Sequence, residues 1–338
     1  MKTKPFLMFV GPSIVMMLLF IAGPLITVFI QSFQQTQSVF ETVERETCDP
    51  FGCKTATVTI PQVDENGRAI QETKWVGWEN YRVLLDWKNV RAAFSSGGGG
   101  FREATDVAFW GALRFTLVFT LVTLPFIIGV GLILAFVVNS LIQSVRGPVI
   151  FITLLPFIVT PVIGALSIRW LFMGDGIITA QLERFTGNDI AMFAQGWTIE
   201  LLMYFYRVWH VAPFAFIIFY AALQTVQSEQ IEAARIDGAS RWQVIRRVII
   251  PHLMPLIVFV ALIHLMDAYR VFDEIVGFNA QAFHISLQWL TFDFLKPDDA
   301  GNRSIGRASA SAILTMIGIA ILLIAPLRNT WREQTGKA

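Results

Sequence analysis

A chain of 338 residues that is 54% hydrophobic and 15% charged departs from soluble domains, in which about a quarter of residues carry charge. With 29 Phe and 10 Trp, the composition excludes a disordered chain, a coiled coil and a disulfide-dense mini-protein, and it disfavours a soluble enzyme. A net charge of +1 gives nucleic acid no general electrostatic handle, so the composition points to a lipid bilayer.

Runs free of Asp, Glu, Lys and Arg cover 5–40, 115–145, 147–168, 208–228, 248–266 and 308–327. The shortest holds 19 residues, close to the ~20 that a helix needs to cross the hydrocarbon core. Backbone in lipid must satisfy its own hydrogen bonds, so the runs predict an all-α polytopic membrane protein with six transmembrane helices. In the first, Lys2 and Lys4 precede an apolar stretch longer than the ~7–15 residues of a secretory signal, and no small-residue cleavage site ends it. Residues 1–33 therefore read as an N-terminal tip and an uncleaved first span.

Residues 34–108 hold 11 of the 25 acidic residues and both cysteines. They predict a small insertion outside the membrane, too short for a sizeable core. Thr55–Val63 is β-branched, and Arg68–Trp75 is expected to pair with it across Asn66-Gly67. Cys48 and Cys53 enclose Asp49-Pro50-Phe51-Gly52. No second cysteine pair or nearby histidine completes a zinc site, so a structural disulfide is the favoured reading and no metal is expected. The glycine run at 97–100 reads as a flexible connector.

Pro125, Gly129 and Gly131 interrupt the second run, for which a single tilted helix is favoured over a broken pair. Arg146 marks a tight connection to the third. The fourth span begins near Tyr206, Arg207, Trp209 and His210, and the fifth ends at His264, Asp267, Ala268, Tyr269 and Arg270. Polar residues at membrane depth are costly unless they face a cavity or partner. Tyr206, Trp209, Asp267 and Tyr269 are thus candidates to line a solute pathway, although aromatics near the boundary also form interfacial belts. His264 and Asp267 share a helix face, and His210 reads as a packed residue bonded to a neighbouring helix. Arg207 and Arg270 fit either an anionic solute or an interhelical charge. Basic residues at Lys2, Lys4, Arg146, the 235–247 cluster and 328–337 fall on one side if six spans are counted, which predicts cytoplasmic termini.

Between the fourth and fifth spans, 228–251 reads as two short helices. Ser228 is placed to cap the first, and Gly238 to stop it in a left-handed conformation. Ser240 and Gln243 form a capping box for the second. Trp242, Ile245, Val248 and Ile249 make its apolar stripe, and Pro251 ends the unit. The chemistry fits a surface connector, or a docking element with a small-residue face at Ala233, Ala234, Gly238 and Ala239.

This stretch resembles the Glu-Ala-Ala loop of permease subunits in binding-protein-dependent ABC importers. Glu232, Ala233, Ala234, Gly238, Val248 and Pro251 carry the match, with Asp237 and Ala239 beside the glycine. Ile250 replaces the usual Leu, and Gln227 stands where Pro is common. Trp78-Glu79-Asn80-Tyr81, Val271-Phe272-Asp273-Glu274 and Gly306-Arg307-Ala308-Ser309-Ala310 extend the resemblance to the carbohydrate branch, of the maltose and glycerol-phosphate type. Phe278-Asn279-Ala280 departs from a usual Thr-Gly-Gly-like turn. The resemblance implies a type I importer fold, with a permease core over 109–330, a periplasmic insertion at 34–108 and a cytoplasmic tail at 331–338.

It further implies a place in the bacterial inner membrane beside a second permease, as a heterodimer, with two ATPase subunits and a periplasmic solute-binding protein. Glu232 and Gly238 lead the expected ATPase contact in the coupling loop. The implied solute is a sugar, such as an α-glucoside or another di- or oligosaccharide, with glycerol phosphate or a monosaccharide derivative as alternatives. The chain lacks a phosphate-binding Gly-Lys-Ser/Thr loop, so ATP and Mg are expected on partner subunits and no cofactor on this chain. It also lacks the motifs of an intramembrane enzyme. A secondary transporter or channel is the rival class, but no matching inverted repeat is evident.

Overall fold

Where the sequence stays apolar, the backbone closes its hydrogen bonds as helix. The computed structural model describes residues 3–49, 52–63, 70–95, 104–174, 176–298 and 301–334. Among them, six helices are long and apolar enough to cross a membrane: Met8–Gln31, Ala108–Ser140, Pro161–Thr186, Gly196–Leu223, Arg241–Ala268 and Ile305–Arg328. The first lies in a helix over 3–31 (α1) and the last in Ile305–Gln334 (α13). Ala108–Ser140 (α4) passes through Pro125 as one helix of 33 residues.

The 147–168 run is not one helix. Gln143–Ile158 (α5) stops at Val159 and Thr160, which are extended, and Pro161–Phe172 (α6) starts afresh. Proline crowds the residue before it out of helical geometry, so the lack of charge did not reveal the break. A second piece, Ile177–Thr186 (α7), follows α6.

Pro24 and Pro251 are handled differently. A proline offers no N–H and crowds the preceding turn. Ahead of each stands a widened π turn, at Leu18–Ala22 and Ile245–Ile249, in which Gly23 N donates to Leu18 O and Ile250 N to Ile245 O. Pro251 therefore lies inside the helix Arg241–Ala268 (α10) instead of ending a unit before it.

Two compact units are resolved, Met1–Trp110 with Leu290–Met316, and Gly111–Trp289 with Ile317–Ala338. In the first, strands Gln34–Ser38 (β1), Phe40–Asp49 (β2), Gly52–Pro61 (β3) and Gln71–Trp75 (β4) form two antiparallel pairs, β1 with β4 and β2 with β3. This corrects the expected hairpin: Thr55 faces Glu46 and Ile60 faces Glu41, while Gln71–Trp75 pairs with Gln34–Ser38. The β-branched segment takes the partner that gives a ten-residue ladder; Asn66-Gly67 lies outside the described residues. The register sets Cys48 opposite Cys53, whose side chains also lie outside the described ones.

Within 34–108, Val90 and Ala93 of Trp87–Ser95 (α3) form a small buried cluster with Ala104, and the segment is also held by α13. Phe33, Tyr81 and Leu84, the latter two on Glu79–Leu85 (α2), pack with Ala310 and Ile313 of α13. Asn80 fastens the end of α1: its amide Nδ2 donates to Ser32 O and Gln34 O, both at 2.9 Å, and Tyr81 Oη donates to Ser32 Oγ at 2.8 Å. Asn80→Ala strips two carbonyls of this donor and is expected to cost about 1–3 kcal/mol. Thermal unfolding in detergent reads this; an unshifted midpoint would show that the amide is dispensable.

In the second unit the most buried span is Gly196–Leu223 (α8). It packs through small residues, as helices do where lipid is as apolar as leucine. A Cβ on Gly131 would meet Ala215 Cβ at 2.7 Å, and one on Gly164 would meet Tyr206 Oη at 2.5 Å. Phe119, Ile199, Met203, Tyr206, Ile275 and Phe278 form one buried cluster, and Ile127, Ala215, Phe216, Phe219, Leu253 and Val260 a second.

Candidate functional site

Two places stand out, the 228–251 connection and an interior group of charges. In the connection, helix Ser228–Ile236 (α9) ends in a reciprocal C-terminal motif. Ala239 N donates to Ala234 O and Gly238 N to Arg235 O, both at 3.0 Å, and Gly238 takes φ +80°. Ser240 then caps α10: its Oγ accepts from Gln243 N at 3.3 Å, and Gln243 Oε1 accepts from Ser240 N at 2.7 Å. Both caps match the sequence expectation.

Two details differ. Ser228 is the first helical residue and makes no cap bond, since Gln227 occupies the cap position. Ile245, Val248 and Ile249 of the apolar stripe are half-buried, but Trp242 stands open. It is 66% exposed, Ile236 is 87% exposed, and Val244 is the residue that turns inward. The result is one short helix, α9, turned tightly into the start of the long α10, with Glu232 and Gly238 exposed and two large apolar side chains in the open.

The interior group centres on Arg207, a lone charge on the inner part of α8. Its Nη1 donates to Glu274 Oε1 at 2.8 Å, and its Nη2 donates to Asp267 Oδ2. Glu274 lies in the first turn of Asp273–Phe278 (α11) and is 1% exposed, whereas the Asp267 side chain, near the end of α10, is 55% exposed. A buried guanidinium needs such anions, because removing a charge from water costs several kcal/mol. Beside them, burial raises the Asp273 carboxyl above its ordinary value, with Glu274 adding to the shift and Arg207 opposing it.

Arg207, Asp267 and Asp273, though not Glu274, border a cavity of about 420 Å³. Arg207, His210, Asp267, Arg270 and Asp273 supply its polar wall, and Phe157, Phe214, Ile127 and Val260 are among its apolar lining. His264 also lines it. Its Nε2 lies 3.0 Å from Thr123 Oγ1, whose hydroxyl donates to Phe119 O at 2.7 Å. Since that hydroxyl proton is taken, the imidazole Nε2–H donates and Nδ1 is left as an acceptor. His210 Nδ1 donates to Pro156 O at 2.8 Å, the expected bond to a neighbouring helix.

Of the four candidate pathway residues, the structure puts Asp267 on this cavity wall. Tyr206 is fully buried and donates to Pro161 O at 2.6 Å. Tyr269 is buried against Gly318. Trp209 is 39% exposed and borders Tyr206 instead of the cavity. The aromatic wall comes from Phe157 and Phe214, and Asp273 and Glu274 complete the charged group. The available signal was charge pairing: a lone arginine within an apolar helix demands carboxylates, and Asp267, Asp273 and Glu274 follow within one short stretch. Among the described residues, no group of His, Cys, Asp and Glu could hold a metal.

Six long apolar helices, a charged group on a cavity wall within the second unit and a capped turn leading into the fifth span fit a membrane transport subunit. The chain belongs to the family of inner membrane components of binding-protein-dependent transport systems, whose model matches residues 109–325. The lactose transport system permease protein LacF of Rhizobium radiobacter is 28% identical over 200 residues, 58% of this chain and 66% of that protein. The sn-glycerol-3-phosphate transport system permease protein UgpA of Escherichia coli is 30% identical over 229 residues, 65% of this chain and 73% of that one. Among solved structures, a bacterial ABC transporter involved in the import of the acidic polysaccharide alginate shares the fold, with a TM-score of 0.69 at 18% identity over 98% of this chain and 96% of its own.

Proposed function

We propose that this chain is one permease subunit of an ATP-driven importer for a sugar, of di- or oligosaccharide size. It pairs with a different permease to form the pathway and receives solute from a binding protein outside the inner membrane. Through 228–251 it engages one of two ATPase subunits, which carry ATP and Mg. The observation that carries this reading is the family match over 109–325, joined to a capped turn whose Ile236 and Trp242 are exposed within it. Exposed large apolar side chains on a rigid, capped element fit a protein partner.

In this reading both termini and the 228–251 segment are cytoplasmic, and 34–108 lies on the outer side with Cys48 and Cys53 joined as a disulfide. The sugar assignment is supported by the lactose relative. The test is import of labelled lactose and maltose into proteoliposomes that hold both permeases and the ATPase pair, with binding protein added outside. ATP-dependent accumulation supports the proposal. Uptake that persists without the ATPase subunits and collapses with the ion gradient would make the chain a secondary transporter instead.

A further inference from the structure

The relatives handle solutes of different charge: one is named for a neutral disaccharide, one for a phosphate ester, and the fold neighbour for an acidic polysaccharide. Their names leave the charge of this chain's solute open, and the cavity's electrostatics address it. The wall carries two guanidiniums, Arg207 and Arg270, and two carboxylates, Asp267 and Asp273, and buried Glu274 behind Arg207 brings the whole charged group to −1 with the histidines neutral.

Distribution matters more than the sum. Arg207 would be the natural anchor for an anion, yet both its terminal nitrogens are already held by carboxylates. Its side chain is 7% exposed, while that of its partner Asp267 is 55% exposed. What the ion pair offers outward is a carboxylate, held in place from behind by a buried guanidinium. A carboxylate accepts hydrogen bonds and donates none, so it suits hydroxyls and repels phosphate or carboxylate groups. Phe157 and Phe214 add apolar surface for the C–H face of a ring.

We propose that this cavity is a solute subsite selective for uncharged, hydroxyl-rich solutes over their anionic counterparts, with Asp267 as the acceptor and Arg207 and Glu274 as its positioning residues. This rests on the sugar-importer reading and narrows it, setting phosphorylated and acidic sugars aside. Arg270, also on the wall, is the one guanidinium among these groups without a carboxylate bonded to it; like Asp267 it is exposed, and it offsets part of the negative charge.

The test is equilibrium binding to the assembled importer in nanodiscs, without binding protein, of probe pairs differing by one anionic group: trehalose with trehalose 6-phosphate, and lactose with lactobionate. The neutral member of each pair is expected to bind roughly tenfold or more tighter, about 1.4 kcal/mol. Asp267→Asn with Asp273→Asn makes the group net positive and should close or invert the gap. Arg270→Gln, at an exposed position, should widen it, and this variant keeps the proposal testable if the double variant fails to assemble. Equal or tighter binding of the anionic members, or a gap that ignores these substitutions, overturns the charge rule and leaves the sugar reading standing. If no probe binds and ATP drives no sugar import, both readings fall.

Discussion

Glu232→Lys and Gly238→Asp are each expected to abolish solute-stimulated ATP hydrolysis by the assembled importer, a loss of roughly tenfold or more, equivalent to at least ~1.4 kcal/mol of coupling. Glu232 is exposed on α9, so reversing its charge disturbs no packing within the chain. Gly238 sits at φ +80°, where an L side chain costs about 1–2 kcal/mol, yet a Cβ there meets nothing within 4 Å. The Asp substitution therefore adds charge at the junction of two capped helices without a clash. Gly238→Ala separates the two effects: it carries the strain without the charge and should retain more coupling than Gly238→Asp. Co-purification of all subunits establishes assembly, and normal stimulation in both charged variants would show that this segment is no coupling element.

The second large effect concerns stability. Arg207→Met leaves Glu274, 1% exposed, without its guanidinium, and removing one member of a buried pair costs about 3–5 kcal/mol. Changing Glu274 to Met as well should recover most of that loss, because two well-packed apolar side chains can replace a buried ion pair. Asp267→Asn should cost no more than about 1 kcal/mol, since that side chain is over half exposed. Thermal unfolding in detergent ranks the three. An Arg207→Met protein as stable as Asp267→Asn would mean that Glu274 finds other compensation.

Both effects depend on features of unequal legibility. The caps at Gly238 and Ser240 could be read directly, because a left-handed stop and a capping box are satisfied by residues within a few positions of each other. Glu274 could not be read so easily: its role depends on α11 returning beside α8, 67 residues earlier in the chain. Trp209 and Tyr206 show that residue chemistry alone does not place a side chain. Residue chemistry marked them as candidates to line a solute pathway, whereas Tyr206 fills the space above Gly164 and Trp209 lies off this cavity's wall.

The sequence by itself determined what depends on local chemistry: long uncharged runs that must close their own hydrogen bonds, the continuity of α4 through Pro125, and the capped turn with its Glu-Ala-Ala spacing. Only the tertiary structure decided which strands pair around the cysteines and which polar side chains share a cavity. Those outcomes turn on contacts between distant segments, where the longest available ladder or the nearest opposite charge prevails over local preference.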